Sequence, residues 1–300
     1  MEYNSKLNNA KKSKMDEFFT EYCVIEKELI NYTDYFSGKT IYCNCDDYKT
    51  SNFYRFFANN FDKLGLKKII CTWYSQPYGG ICEFYDDKNH ISGLDFNGDF
   101  RNDKFNEIIN ECDVIVTNPP FSLFRDFIKL VMEKSKDFIV LGNLNAVKYK
   151  AVFPYIKDNK IFLGKSIHAG DVEFIVPDEF FDKEKTKNYK IDEKTGDKLV
   201  KVPSIRWYTN IKYDGVNSYN LKLTKKFDEN VYPVYDNHSH IINCDRVLDI
   251  PADYDGEIGV PVNYIDKHND KMFEIVGLLR GPIISDKRLY DRIVLKRVKK

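Results

Sequence analysis

Four consecutive residues, Asn118-Pro119-Pro120-Phe121, follow directly on the apolar run 113–117, and their types suit one kind of chemistry. Two prolines fix φ twice and remove two backbone N–H groups, so the segment is stiff and offers carbonyl acceptors without competing donors. Asn118 precedes a proline and is held extended. An exocyclic amine on a heteroaromatic ring is a poor nucleophile because its lone pair is conjugated. If its two N–H groups donate to the Asn118 side-chain oxygen and the Pro119 carbonyl, the nitrogen moves towards tetrahedral geometry and the lone pair is freed. Phe121 is placed to stack on the ring, and a base inside a duplex would have to be rotated out of the stack to reach it. Asn118, Pro119, Pro120 and Phe121 are therefore the expected catalytic residues of an amine methylation.

A methyl donor must be held in line with that nitrogen. S-adenosylmethionine presents an ammonium, a carboxylate, a ribose and an adenine for recognition. Asp46 and Asp47 close an expected strand beside a helix start near Ser51, where backbone N–H groups suit a carboxylate. Asp99 is expected to accept from the donor's adenine amine while Phe100 packs on the ring. A capping or turn role is the plainer explanation of each aspartate. His168, His238, His240 and His268 show no nucleophile or metal spacing and read as surface or loop residues.

The elements that must position these residues are legible as alternating runs. A helix is expected over 16–32, strands over 40–45, 68–73, 113–117 and 138–142, and helices after Ser51, over 104–111 and after Ser122, which would cap it. Short continuous apolar strands separated by helices predict an α/β fold: a Rossmann-like architecture with a mainly parallel sheet covered on both faces. Residues 76–90 and the segment around 194–197 have hairpin patterns, and Trp207 reads as a sheet residue. From about Leu221 the pattern turns irregular, with Pro233, Pro251, Gly256, Gly259 and Pro261. The expected division is a catalytic domain over 1–220 and a target-recognition segment over 221–300.

Composition limits the setting. Three hundred residues with 43% hydrophobic content allow a large core. Net charge is zero, so attraction to a polyanion must come from local clusters such as Lys287, Arg288, Lys296 and Arg297 near one end and Lys6, Lys11, Lys12 and Lys14 near the other, either of which also reads as a solvated charged tail. Seven scattered cysteines without metal spacing read as reduced thiols. No signal-peptide pattern opens the sequence, and no apolar run reaches the roughly 18 residues of a membrane span. A cytoplasmic protein with no membrane partner and no metal is expected.

With these residues in hand, the chain resembles the EcoRI-type adenine-specific DNA methyltransferases of restriction–modification systems. The resemblance is carried by residues 16–20, 43–47, 51–53, 64–68, 113–125, 142–146, 258–262 and 273–275. It implies methylation of adenine N6 in duplex DNA with S-adenosylmethionine as donor. It assigns Asn118, Pro119 and Phe121 to the target base and Asp99 with Phe100 to the donor's adenosine, and it makes Phe19 and Thr20 an N-terminal donor-binding element. A monomer acting on double-stranded DNA is expected, and the setting allows for a cognate restriction endonuclease in the same system. One departure stands out: the turn after the first strand, 45–50, contains no glycine, although most methyltransferases carry a glycine-rich turn there. Methylation of RNA adenine or of a protein glutamine, and a nucleic-acid-binding module that has lost its donor, are the alternatives.

Overall fold

A computed structural model describes residues 19–168, 170–176, 189–193 and 195–298. The chain divides into two compact units, one built from residues up to Asn143 with Gly164–Tyr213, the other from Leu144–Leu163 with the residues from Asp214 on.

In the first unit, strands β1 (Phe19–Thr20), β2 (Thr40–Asn44), β3 (Lys68–Trp73), β4 (Gly80–Tyr85), β5 (Lys88–Gly93), β6 (Val114–Thr117) and β7 (Asp137–Asn143) are followed by β8 (Asp171–Val176), β9 (Tyr189–Ile191), β10 (Lys198–Pro203) and β11 (Ile205–Thr209). Within this unit the strands of the main sheet run β5-β4-β3-β2-β6-β7-β11. Its four central strands, β3, β2, β6 and β7, pair in parallel. The pairs β3–β4, β4–β5 and β7–β11 are antiparallel, so the sheet is mixed. Every residue of β2 and β6 is buried, as expected for strands covered on both faces. The hairpins expected around 76–90 and 194–197 are β4–β5 and β9–β10, and Trp207 is a fully buried residue of β11.

Helices α1 (Tyr22–Leu29), α2 (Asn52–Asn59), α3 (Phe61–Leu64), α4 (Asn106–Glu111) and α5 (Phe124–Glu133) cover this sheet. One face of α2 buries Phe53, Phe56 and Phe57, and one face of α5 buries Phe124, Phe127, Ile128 and Val131. Two expectations are corrected. Phe19 and Thr20 are not helical: they form β1, antiparallel to β8, and the helix starts at Tyr22; residues 16–18 lie outside the described residues. Ser122 does not cap α5, because Phe121–Leu123 first form a 3-10 turn and Leu123 is the cap residue.

The second unit holds a short helix α6 (Phe153–Lys157) and strands β12 (Val234–Tyr235), β13 (His238–Asn243), β14 (Glu257–Pro261), β15 (Phe273–Leu279), β16 (Ile283–Ile284), β17 (Lys287–Arg288) and β18 (Arg292–Arg297). Five of them make a sheet ordered β12-β13-β14-β18-β15, and β16–β17 form a separate hairpin. The irregular segment expected after Leu221 is thus a sheet whose short apolar runs, such as 258–260 and 293–295, are separated by long turns. Residues 292–297 are not a solvated tail: β18 lies between β14 and β15, and Arg297 is held by the Pro251 carbonyl at 3.0 Å and lies over the Phe273 ring. Lys299, Lys300 and the four lysines before residue 15 lie outside the described residues. Among the described residues no helix is long and apolar enough to cross a membrane, and no group of His, Cys, Asp and Glu could hold a metal.

Candidate active site

The tetrapeptide starts where β6 ends. Pro119 is buried, while Asn118, Pro120 and Phe121 are half-buried, so the middle of the corner is anchored in the fold. The Leu123 N–H donates to the Pro120 carbonyl at 2.9 Å, and the chain turns there into α5. A fully buried strand thus delivers a rigid corner to the carboxyl edge of a sheet, where ligand sites of open α/β sheets lie.

Thr117, the last residue of β6, ties this corner to its neighbours. Its hydroxyl bonds both the Asn44 carbonyl, at the end of β2, and the Asp46 carboxyl at 2.6 Å. Asp46 also accepts from Ser51 Oγ at 2.7 Å, and its N–H donates to the Thr72 carbonyl near the end of β3. Ser51 caps α2 by accepting from the Tyr54 N–H at 3.1 Å. Three parallel strand ends and one helix start therefore meet around one carboxyl group. Burial pushes that group up to about 6, against the opposing pull of the two hydroxyls.

The N-terminal element reaches the same edge. Asn52, the first residue of α2, donates to the Thr20 carbonyl at 2.8 Å. Thr20 pairs with Phe174 on β8, whose ring lies 6.2 Å from that of Phe121. The four expected catalytic residues, Phe19 with Thr20, and Asp46 with Asp47 are brought together at one rim. Asp47 shapes the turn itself: its side chain accepts from the Lys49 N–H at 3.0 Å, and its carbonyl accepts from the N–H groups of Thr50 and Ser51.

Asp99 is held beside the end of β3. The turn 96–99 is bonded to 75–79 through Gly79 N to Phe96 O at 2.7 Å and Ser75 N to Asn97 O at 3.0 Å. Gly98, at φ +81°, lies so close that a Cβ there would fall 2.3 Å from the Trp73 carbonyl oxygen, so only glycine fits. The Asp99 carboxylate accepts from Arg101 Nε at 2.9 Å, and Arg101 holds it below the usual carboxylate range. Phe100 is buried, edge-to-face on Phe127 of α5 at 5.5 Å, and anchors the turn.

Two residues at this rim were beyond sequence reasoning. Cys45 takes φ +75°, a left-handed conformation uncommon outside glycine, and so makes the turn that a glycine would make after β2. Asn44 is 1% exposed; its Oδ1 accepts from Cys45 Sγ at 2.8 Å, and its Nδ2 is buried with no hydrogen-bond partner among the described residues. Thr20 Oγ1 is likewise buried with no partner among the described residues. Such groups are costly unless matched. A hydroxyl and an amide N–H fit the carboxylate of an amino-acid-bearing donor, so the residues present suit that group.

One further expectation is corrected away from this rim: His268 is buried, with Nδ1 3.1 Å from the Tyr264 hydroxyl, and burial lowers it to about 4.

The sequence matches the family model described as adenine-specific methyltransferase EcoRI over residues 6–96 and 79–299. It is 38% identical to the Type II methyltransferase M.EcoRI of Escherichia coli, covering 98% of this chain and 96% of that protein. It is 35% identical to M.MgeORF184P of Mycoplasma genitalium and 33% identical to M.MpnI of Mycoplasma pneumoniae, both described as Type II methyltransferases, with at least 96% of this chain covered in each case. No solved structure matches the chain.

Proposed function

Because the chain belongs to the EcoRI family of adenine-specific methyltransferases, we propose that it transfers a methyl group from S-adenosylmethionine to the N6 amine of an adenine rotated out of duplex DNA, as the modifying half of a restriction–modification system. The observation that carries this reading is the joining of the Asn118 corner to the Thr20 and Asn44 segments, through Thr117, Ser51 and Asn52. A methyl donor and a planar amine must be neighbours, and this rim joins the two sets of residues suited to them.

The donor supplies an electrophilic methyl carbon when bound. Thr20 and Asn44 hold its carboxylate end, Phe19 and Asp47 border it, and Asp99 meets its adenosine, with Phe100 fixing the Asp99 turn from behind. Asn118 and Pro119 accept the two N–H groups of the target amine, Pro120 keeps the corner stiff, and Phe121 stacks on the base. Preorganised acceptors of this kind act without moving during the reaction. The four parallel strands support a Rossmann-like reading of the sheet, and residues 221–300 read the duplex. The protein works as a monomer in the cytoplasm, with a cognate endonuclease as its partner activity.

Incubation with methyl-labelled donor and duplex DNA, followed by hydrolysis to nucleosides, tests the proposal. Label is expected in N6-methyldeoxyadenosine. Label in a methylated cytosine, or incorporation into RNA or protein but not DNA, would overturn it.

A further inference from the structure

The hydroxyl of Thr117 has one proton and two oxygen neighbours. One is the Asn44 carbonyl, which can only accept; the other is Asp46 Oδ2 at 2.6 Å. If Asp46 is ionised, both neighbours are acceptors and one of the two contacts is unsatisfied. If Asp46 carries a proton, every contact is satisfied in one direction. Ser51 Oγ, which accepts from Tyr54, donates to Asp46 Oδ1; the Asp46 O–H donates to Thr117; and Thr117 donates to Asn44. We propose that Asp46 is a positioning residue that works as a neutral carboxylic acid, latching the strand that ends in Asn118 to the strand that ends in Asn44.

The surroundings agree. Among the described residues, the thiols of Cys43 on β2 and Cys71 on β3, both raised by burial, interact with Asp46, while α2 and β6 present the hydroxyls of Ser51 and Thr117. Burial already favours the protonated acid, and committing the Thr117 proton to Asn44 removes one bond that would stabilise the anion. The latch explains why Asp46 differs from Asp99, whose carboxylate is ionised beside Arg101. It also replaces a direct donor contact for Asp46 with an indirect one. The positional consequence rests on the reading of Asn118 as the base-gripping residue; the protonation state does not.

The decisive measurement is therefore made on the free protein. Carboxyl NMR with carbon-13-labelled aspartate, assigned by the signal that disappears in Asp46→Asn, should show a group that titrates above pH 6, with the midpoint moved by Thr117→Val and kept by Thr117→Ser. A signal that is ionised from pH 6 upwards overturns the latch, whatever reaction the protein catalyses. In single-turnover transfer, Asp46→Ala should lose at least about tenfold in rate. Asp46→Asn, whose amide can donate to Thr117, should recover to within about threefold and lose the wild type's alkaline decline. Recovery failing in Asp46→Asn, or a rise in donor KM at unchanged kcat, would instead mean that a carboxylate at this position touches the donor.

Discussion

In the first unit, the ends of β1, β2, β3 and β6 present a carboxyl group, two hydroxyls and, among the described residues, two buried polar atoms with no hydrogen-bond partner. In the second unit, the buried Arg292 is matched by Asn243, Asp245 and the Tyr290 carbonyl, while Lys287, Arg288 and Tyr290 stand on the surface, the last 90% exposed. Buried polarity left open is the mark of a site that expects a ligand, whereas buried polarity that is closed serves the fold. This contrast supports the proposal that the first unit carries the chemistry, while the second offers a charged surface.

The contrast is sharpest in how each unit answers to pH. Burial raises Asp46 from an ordinary 3.8 to about 6 and the latch raises it further, so the folded state holds the extra proton, and stability falls as pH rises from about 4 to beyond 6. His268 is lowered to about 4 from 6.5, so the unfolded chain binds the extra proton, and stability falls as pH drops from 6.5 through 4. Shifts of this size each correspond to roughly 3 kcal/mol. Hydrogen exchange across pH 4 to 7 should show protection around β2 and β6 weakening upwards and protection around Tyr264 weakening downwards. Asp46→Asn should flatten the first trend alone and His268→Gln the second alone. Both units weakening in the same direction would break the comparison.

Much of the first unit was legible because β2, β6 and β7 are continuous apolar runs and α2 and α5 carry apolar stripes. The tetrapeptide was legible because two prolines restrict what the chain can do there. What escaped depended on distant partners. Phe19 and Thr20 are a strand only because Phe174 and Ile175 pair with them. Asp46 was legible as a carboxylate at a strand end, but its partner Thr117, far away in sequence, was not. Nothing local announced that Cys45 would take a positive φ or that His268 would be buried, and the sheet of the second unit was hidden by turns that outnumber its apolar runs.

A smaller effect separates the surfaces. The β16–β17 hairpin turns at Ser285 and Asp286, both at positive φ, with their N–H groups donating to the Asp236 carboxylate at 3.2 Å. It displays Lys287 and Arg288, both exposed. Replacing both with alanine should weaken duplex binding and reduce the slope of log affinity against log salt by about 2, while leaving donor affinity unchanged. An unchanged slope would remove this hairpin from the DNA surface.

The central claim is that Asn118 acts on the amine and not on the donor. Single-turnover transfer and calorimetric donor binding, measured on the same preparation of Asn118→Ala, test it directly. The transfer rate should fall by on the order of 100-fold or more, in line with the loss of a preorganised hydrogen-bonding group, while donor affinity stays within about threefold. A transfer rate within about threefold of the wild type would contradict it.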